Sequence, residues 1–279
     1  MSEQTQTSQS QISDSNALVT GLVDSHCHLD RVDLGKYHED FRTFVEATLA
    51  SGVERMLCVS IDLESWPEMM ALVADYPHIS ASVGVHPNDR DRRDPSVEEL
   101  VSLARNPKVV AIGETGLDYF HGSGELDWQR HRFRQHIRAA KQAGMPLIIH
   151  TRQAREDTIQ IMQEEGAEDA GGVMHCFTED WSMAQAALGL GFYISFSGII
   201  TFKNAEDLRS VVKQVPMNRL LIETDSPYLA PVPFRGKPNQ PLYVRQVAEC
   251  VAEIKGLPLS DVISQTRDNF LRCFPAIPE

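Results

Sequence analysis

Two kinds of segment alternate along most of this chain, and their order leaves few folds open. From residue 22 onward, short apolar runs alternate with longer stretches whose apolar residues fall on one helical face. The runs lack a strict polar alternation, as expected for parallel strands that are covered on both faces. The predicted strands are 22–27, 55–60, 79–85, 109–114, 146–150, 172–176, 192–196 and 219–224. The predicted helices are 38–51, 64–75, 96–105, 125–143, 153–165, 179–189 and 204–214, followed by 241–255 and 259–273.

Eight strands that are each followed by a helix predict a (β/α)8 TIM barrel. The rival is a doubly wound sheet, but such a sheet usually carries a Gly-rich phosphate loop after an early strand, and the sequence has none. A length of 279 residues with 42% apolar residues allows one large domain or two small ones. Because no linker divides the chain, we predict one barrel domain over 21–279. The preceding segment, 1–20, is rich in Ser, Gln and Thr and is predicted to be a disordered tail.

Charge and cysteine content limit the partners that the protein can bind and the cellular compartment in which it is expected. The formal net charge of −13 argues against a broad basic surface for nucleic acid, although bound cations and a local basic rim can offset that field. No apolar stretch approaches the ~20 residues that cross a bilayer, so no membrane contact is expected. The five cysteines are scattered without a CxxC pair, which favours reduced thiols in the cytoplasm. The oligomeric state is left open, a monomer included.

Side chains that bind metals follow the predicted strands at the points where the strands end. They are His26, His28, Glu114, His150, His175 and Asp225. The carboxyl ends of barrel strands meet at one mouth, so these side chains are expected to converge. The His-x-His pair alone is weak evidence, because histidine also serves as a satisfied core residue. Burying four histidines and two acids together without cations would leave unpaired polar groups, so metal binding is the better explanation.

Six ligands exceed what one tetrahedral zinc ion needs, and a carboxylate can bridge two ions. The predicted partition is His26, His28 and Asp225 on one ion, His150 and His175 on the other, and Glu114 shared between them. Asp225 is the candidate to take the proton from an activated water, and Glu114 is the second catalytic candidate. Nitrogen and oxygen ligands without thiolate suit two divalent cations such as Zn, Mn or Mg.

Several stretches of the chain resemble the TatD-type metal-dependent deoxyribonucleases, in the YcfH-like branch of the amidohydrolase-like TIM barrels. The matching stretches are 24–30, 84–87, 111–119, 146–152, 175–177, 191–198 and 221–229. The resemblance runs in the right order over about 22–274. It implies a (β/α)8 barrel, a two-metal site and hydrolysis of DNA phosphodiesters. It also implies the same six metal ligands that the strand ends predict.

A further group of side chains is predicted to support the metal ligands or to contact substrate. The group comprises His86, Arg152, Lys203, Glu223, Arg235 and Lys237. Glu223 could orient a ligand or, equally, bridge strands, and His86 could bind phosphate or simply hold a turn. Asp24 could fix the His26 imidazole or cap the start of a strand. The arginines and lysines are candidates for the phosphates beside the scissile one, although each could be an ordinary solvated charge.

Aromatic and basic residues elsewhere raise the question of nucleic-acid contacts. A stacking face for a base is conceivable at Tyr119, Phe120, Phe202, Tyr228 and Phe234, although most such rings pack inside proteins. The basic run 130–138 lies on the predicted helix after the fourth strand. We interpret it as a solvated helix surface, with Phe133 and Ile137 packed inward.

Three functions fit the sequence. The first is a metal-dependent nuclease that trims single-stranded DNA ends in the 3′ to 5′ direction. The second keeps the site but cleaves ester or amide bonds, as a small-molecule amidohydrolase or a D-aminoacyl-tRNA deacylase. Small-molecule relatives commonly carry a carboxylated bridging lysine, and Glu114 in its place favours the nuclease. The third is a non-catalytic scaffold with structural metals, which the absence of thiolates from the predicted ligand set opposes.

Overall fold

Eight parallel strands in chain order form the centre of the computed structural model, which describes residues 20–88, 90–122 and 124–277. They are β1 (Leu22–Cys27), β2 (Val53–Cys58), β3 (Ile79–Val83), β4 (Val109–Asp118), β5 (Leu147–Arg152), β6 (Gly172–Met174), β7 (Tyr193–Phe196) and β8 (Leu220–Ile222). The end of β8 returns to β1, because the Asp225 N–H donates to the His26 carbonyl (2.9 Å) and the His28 N–H donates to the Ser226 carbonyl (2.8 Å). The predicted (β/α)8 barrel is therefore confirmed.

Helices surround the strands and follow the predicted order. They are α1 (Phe41–Ala50), α2 (Trp66–Val73), α3 (Val97–Leu103), α4 (Asp127–Ala143), α5 (Arg155–Glu164), α6 (Trp181–Gly189), α7 (Glu206–Gln214), α8 (Val244–Lys255) and α9 (Leu259–Cys273). The first helix begins three residues later than predicted. His38 and Glu39 adopt left-handed backbone (φ 56° and 57°), and Asp40 caps the helix by accepting the Thr43 N–H.

The apolar core has two parts that lie on opposite faces of the strands. The larger part packs between the strands and the surrounding helices. The smaller part joins strand residues such as Val23, Leu57 and Ile148 to Phe270 of α9 and to Phe274, which follows that helix. Most of its strand members lie near strand starts, so α9 helps to close the amino-terminal end of the barrel. The carboxyl-terminal end is left as the open mouth.

The basic run on α4 is more buried than predicted. Phe133 and Ile137 pack inward as expected, but Arg132 and His136 are buried too, so their assignment to a solvated surface was wrong. These four residues form one helical stripe at the i, i+1, i+4, i+5 spacing. The Arg132 guanidinium pairs with Asp94, and the His136 Nε2 accepts the backbone N–H of Val85 at 3.0 Å. Burial lowers the pKa of His136 to about 4.

Three further predictions concern the N-terminal segment, the cysteines and membrane-spanning helices. The tail predicted over 1–20 lies outside the described residues, except for Thr20. All five cysteines are free thiols, as the sequence predicts. Among the helices of the described ranges, none combines the length and the apolar character needed to span a membrane.

Candidate metal centre

The six predicted ligands converge at the mouth of the barrel, around a cavity of about 770 Å³. Five of them line this cavity, and His26 is fully buried behind them. The lining also includes His86, Asn88, His121, Arg152, Cys176 and Tyr228. Strand ends thus bring together side chains that are as much as 199 residues apart in sequence, from His26 to Asp225.

Glu114 lies at the centre of this group and is 2% exposed. Its Oε2 atom is 3.3 Å from the His26 Nε2 and 3.9 Å from the His28 Nε2. Its Oε1 atom is 2.7 Å from the His175 Nε2 and 3.2 Å from the His150 Nδ1. The two oxygens of one carboxylate therefore face two separate pairs of imidazoles.

Asp225 joins the first of these pairs. Its Oδ1 atom is 3.4 Å from the His28 Nε2 and 3.7 Å from the His26 Nε2. The residue has a left-handed backbone (φ 57°) and lies three residues after the end of β8. The distances thus group the six residues as the predicted partition does, while the ligand roles themselves stay a prediction.

In both His28 and His150, the ring nitrogen that points away from Glu114 lies beside a hydrogen-bond acceptor. The His28 Nδ1 lies 2.9 Å from the Val59 carbonyl, so it carries the hydrogen of the neutral ring. The His150 Nε2 lies 3.1 Å from Asp118 Oδ2 and carries the hydrogen for the same reason. When these rings are neutral, the other nitrogen of each, the His28 Nε2 and the His150 Nδ1, directs a lone pair toward the central carboxylates. This is the arrangement of metal-bound histidines, whose second nitrogen usually donates to a carbonyl or a carboxylate.

His175 is held in a similar way by Glu223. The Glu223 Oε1 accepts the Cys176 N–H at 2.6 Å and lies 3.3 Å from the His175 Nδ1. Of the two roles considered for Glu223, the orienting one matches this contact. The His26 ring stacks on His175 with centroids 3.8 Å apart, and its Nδ1 has no hydrogen-bond partner among the described residues.

The donor set fits divalent cations. When these imidazoles are neutral, their lone pairs and the negative carboxylate oxygens repel one another at 3–4 Å, and either a proton or a cation between them removes that repulsion. One buried nitrogen of the cluster, the His26 Nδ1, also lacks a partner. Two groups of ligand atoms close enough to hold an ion contain Glu114, namely His26–His28–Glu114 and His86–Glu114–His150. A third, His26–His175–Glu223, lies on the far side of the rings.

His86 differs from the other histidines in its hydrogen-bond pattern. Its Nδ1 accepts the Asn88 N–H at 3.1 Å, so the hydrogen of the neutral ring is on Nε2. That Nε2 lies 3.3 Å from the Glu114 Oε1. His86 is therefore placed to donate a hydrogen bond at the centre rather than to bind an ion through Nε2.

The electrostatics keep both central acids ionised. Burial opposes the ionisation of Glu114, but the charge of the adjacent His175 holds the pKa of Glu114 well below the usual range. Burial likewise opposes the ionisation of Asp225, but the contact with His28 lowers its pKa. His175 is buried, yet the adjacent Glu114 raises its pKa well above the ordinary value. Two anionic carboxylates are thus available at neutral pH.

Asp118 is a further candidate site residue, which the sequence patterns did not identify. It is fully buried at the end of β4, where it holds the His150 Nε2 and accepts the His121 N–H at 2.9 Å. Burial opposes its ionisation, but the hydrogen bond from His150 lowers its pKa. A signal was present, because Asp118 follows Glu114 by four residues and so returns to the same face of an extended strand.

The expected contact between Asp24 and the His26 imidazole does not form. Asp24 instead accepts the Thr224 N–H at 2.8 Å, the Thr224 hydroxyl and the His26 backbone N–H. A register shift between Asp24 and Cys27 in the pairing of β1 with β2 breaks the alternation on which the prediction relied. Burial raises the pKa of Asp24 to about 8.

The predicted basic residues divide into two groups. Arg152 lines the cavity, and its guanidinium lies 4.0 Å from the centre of the Phe120 ring. The remaining three are exposed on the loops after β7 and β8 and do not line the cavity. They are Lys203, Arg235 and Lys237. Of the four predicted basic residues, the structure therefore places Arg152 at the cavity.

The barrel and the buried cluster of imidazoles and carboxylates at its mouth define a metal-dependent hydrolase. The chain belongs to the TatD related DNase family, whose model matches residues 23–275. The predicted resemblance is thereby confirmed.

Three similar proteins support this assignment. The uncharacterized metal-dependent hydrolase YcfH of Escherichia coli K12 is 49% identical over 254 residues, which are 91% of this chain and 95% of that protein. The 3′-5′ ssDNA/RNA exonuclease TatD of Escherichia fergusonii is 31% identical over 245 residues, which are 86% and 94% of the two chains. The crystal structure of YjjV, a TatD homolog from Escherichia coli K12, superposes with a TM-score of 0.84. It is 27% identical and covers 91% of this chain and 98% of its own.

Proposed function

We propose that the protein is a nuclease that removes nucleotides from single-stranded 3′ ends of DNA, in the 3′ to 5′ direction, with two divalent cations. The observation that carries the proposal is the position of Glu114, whose two oxygens face two separate pairs of imidazoles. A carboxylate in this position suits a bridge between two ions, and paired ions suit phosphodiester hydrolysis. The relative named as a 3′-5′ ssDNA/RNA exonuclease supports the choice of substrate.

The proposed site assigns the ligands by distance. His26, His28 and Asp225 would hold one ion, His150 and His175 would hold the other, and Glu114 would be shared between the two sets. Zn, Mn and Mg are the candidate ions. Such ions, when bound, stabilise negative charge on a phosphoryl group and lower the pKa of a coordinated water.

The side chains of the protein supply positioning and proton transfer. Asp225 is ionised and at the centre, so it is the group that accepts the proton of the attacking water. The His86 Nε2–H donates to a phosphate oxygen, and Glu223 keeps His175 in its orientation. Arg152 binds a neighbouring phosphate at the edge of the cavity.

The exposed cations on the outer loops act at longer range. Lys203, Arg235 and Lys237 lie around the mouth and attract the strand toward it. They offset a net charge of −13 that would otherwise repel DNA. The free state of all five cysteines matches the reducing cytoplasm in which we place the enzyme.

Digestion of defined oligonucleotides tests the proposal. The protein is stripped with EDTA, reloaded with Mg²⁺, Mn²⁺ or Zn²⁺, and given single- and double-stranded DNA labelled at the 5′ end. We expect a ladder that shortens stepwise from the 3′ end of the single strand, and no ladder from His150→Ala. Failure to cut DNA in any metal, combined with turnover of an ester or lactone panel or of D-aminoacyl-tRNA, would instead favour the second function. No turnover of any substrate, with melting on metal removal, would favour the scaffold.

A further inference from the structure

Few aromatic rings near the mouth remain free to contact a ligand. Tyr119 donates its hydroxyl to Asp157, and Phe234 stacks on Tyr243 with centroids 3.9 Å apart. Phe202 is partly buried against the core. The large apolar side chains that are well exposed in the described ranges are Phe120, Tyr228, Val232 and Leu257. Of the five rings considered from the sequence, Phe120 and Tyr228 are thus the accessible ones, at 52% and 51% exposure.

The Phe120 ring is exposed but fixed in place. The Arg152 guanidinium lies over the ring at 4.0 Å from its centre. The His121 imidazole meets the ring edge-to-face at 4.8 Å, with an interplanar angle of 90°. Arg152 has no carboxylate partner in the part of the chain that the structure describes, so its charge is free for a ligand. An aromatic ring with a guanidinium over one face therefore lies beside two residues that line the cavity, Arg152 and His121.

The same residues are tied to the metal centre. The His121 Nδ1 lies 2.9 Å from Asp118 Oδ2, and the His150 Nε2 lies 3.1 Å from the same oxygen. Arg152 follows His150 by two residues on β5. Phe120 itself lies in the turn after β4, between Asp118 at the strand end and His121, which is hydrogen-bonded back to Asp118. Its neighbours on both sides therefore connect the ring to the proposed ion site.

A fixed ring beside a cation suits one class of ligand. A nucleobase stacks on an aromatic face, and a guanidinium binds phosphate, so the pair matches the two parts of a nucleotide. A ring that is already held loses little conformational freedom when a base stacks on it. Within a duplex the faces of a base are covered by its neighbours, so stacking requires an unpaired or terminal base.

We infer that Phe120, with Arg152 and His121 around it, is a stacking platform for one unpaired base beside the scissile phosphate. The inference rests on the proposed nuclease function and deepens it, because it assigns the selection of single strands to a named side chain. Tyr228 is equally exposed, but its ring lies 6.1 Å from His28 and no arginine or lysine covers it in the described residues. Of the two accessible rings, Phe120 is the one over which an arginine lies. Arg235 lies equally close to the Phe202 ring, but that ring is partly buried against the core.

Removal of the base and removal of the ring together test the platform. Wild type, Phe120→Leu, Phe120→Tyr and Leu257→Ala are compared on a single strand and on three strands that each carry one abasic residue, at the 3′-terminal, second or third position. Leu257 is the matched control, because it is an exposed apolar side chain on the turn between α8 and α9. Metal content and melting temperature are measured for each variant.

We expect Phe120→Leu to lower kcat/KM on the natural strand about tenfold or more, and Phe120→Tyr and Leu257→Ala to change it less than about twofold. On the one abasic strand that lacks the stacked base, the loss caused by Phe120→Leu should disappear, because the ring then has no partner. Wild-type behaviour of Phe120→Leu, or an equal loss on all abasic strands, would overturn the inference. If the wild type cleaves no strand at all, the proposed function fails first and the inference falls with it.

Discussion

The two ends of the barrel differ in chemistry although the same strands build both. On β5, Ile148 belongs to the apolar cluster at the amino-terminal end, and His150 reaches the metal centre two residues later. On β6 the corresponding pair is Val173 and His175. Residues two apart on a strand share a face, and two residues advance the strand by about 6.6 Å. In each of these two segments, one inward residue therefore packs in the apolar cluster and the next inward residue belongs to the candidate metal site.

Charged groups at the two ends are also satisfied differently. At the amino-terminal end, a cavity of about 680 Å³ is lined in part by Lys108, Glu54 and Arg267. The Lys108 ammonium donates to backbone carbonyls, and Arg267 pairs with Glu54 at 3.1 Å. At the mouth, imidazole lone pairs and carboxylates face one another. Polar groups at the amino-terminal end are paired with one another, whereas those at the mouth form the candidate metal site.

Glu114→Gln should produce the largest effect, and it acts on the mouth alone. The amide cannot supply two anionic oxygens, so the proposed bridge is lost. We expect DNA hydrolysis to fall by about a thousandfold or more, because paired ions contribute several kcal/mol to the barrier. Metal content per chain, measured by mass spectrometry of the elements, should fall with it. An active Glu114→Gln variant with a full metal complement would contradict the bridging role.

Phe270→Ala should damage the opposite end. Phe270 is fully buried in the cluster that closes the amino-terminal end, so truncation leaves a cavity. We expect the free energy of unfolding to fall by about 3–5 kcal/mol, measured by denaturant titration of the metal-free protein. The kcat/KM of the remaining folded enzyme should stay within about twofold of wild type. A comparable loss of activity would show that the two ends are coupled.

His136→Gln tests whether the buried, neutral His136 makes the free energy of unfolding depend on pH. His136 is neutral when folded, with a pKa of about 4, whereas the unfolded chain takes up a proton below about 6.5. The unfolded state therefore binds more protons between pH 4 and 6.5, so the stability that neutral His136 contributes is complete above pH 6.5 and declines as the pH falls. Across the window, wild type should lose on the order of 3 kcal/mol more than His136→Gln.

Denaturant titrations of both proteins at pH 4.5 and pH 7 measure this difference. Other acids titrate in the same range, but they are shared by the two proteins and cancel in the comparison. Equal pH dependence in the two proteins would show that the pKa of His136 in the folded protein is the same as in the unfolded chain.

Asp118→Asn should give the smallest effect. The amide keeps the size of the side chain but weakens its hold on the His150 Nε2. We expect metal affinity and activity to fall about 10- to 100-fold, as for other carboxylates that orient metal-bound histidines. Titration of the metal-free protein with Mn²⁺ measures the affinity, and Asp157→Asn, on α5, serves as a control. Unchanged metal affinity would show that Asp118 has only a structural role at the end of β4.

Local pattern in the sequence was sufficient for the order of the elements and for the six side chains at the mouth. Strand ends in a parallel barrel point to one place, so residues that recur at those ends can be grouped without coordinates. The α4 stripe shows where this reasoning fails. Helical periodicity identifies a face but does not say how wide the covered part of that face is, so the pattern predicts solvated side chains at Arg132 and His136, which the structure buries.

Tertiary structure alone decided which nitrogen of each histidine faces the centre, because that depends on acceptors from other elements, such as Val59 for His28 and Asp118 for His150. It also decided that Asp24 contacts Thr224 rather than an imidazole, through a register shift that periodicity does not reveal. Sequence spacing fixes the face on which a side chain lies. Hydrogen-bond partners and the exposure of a ring such as Phe120 are set by distances between segments that are remote in the chain.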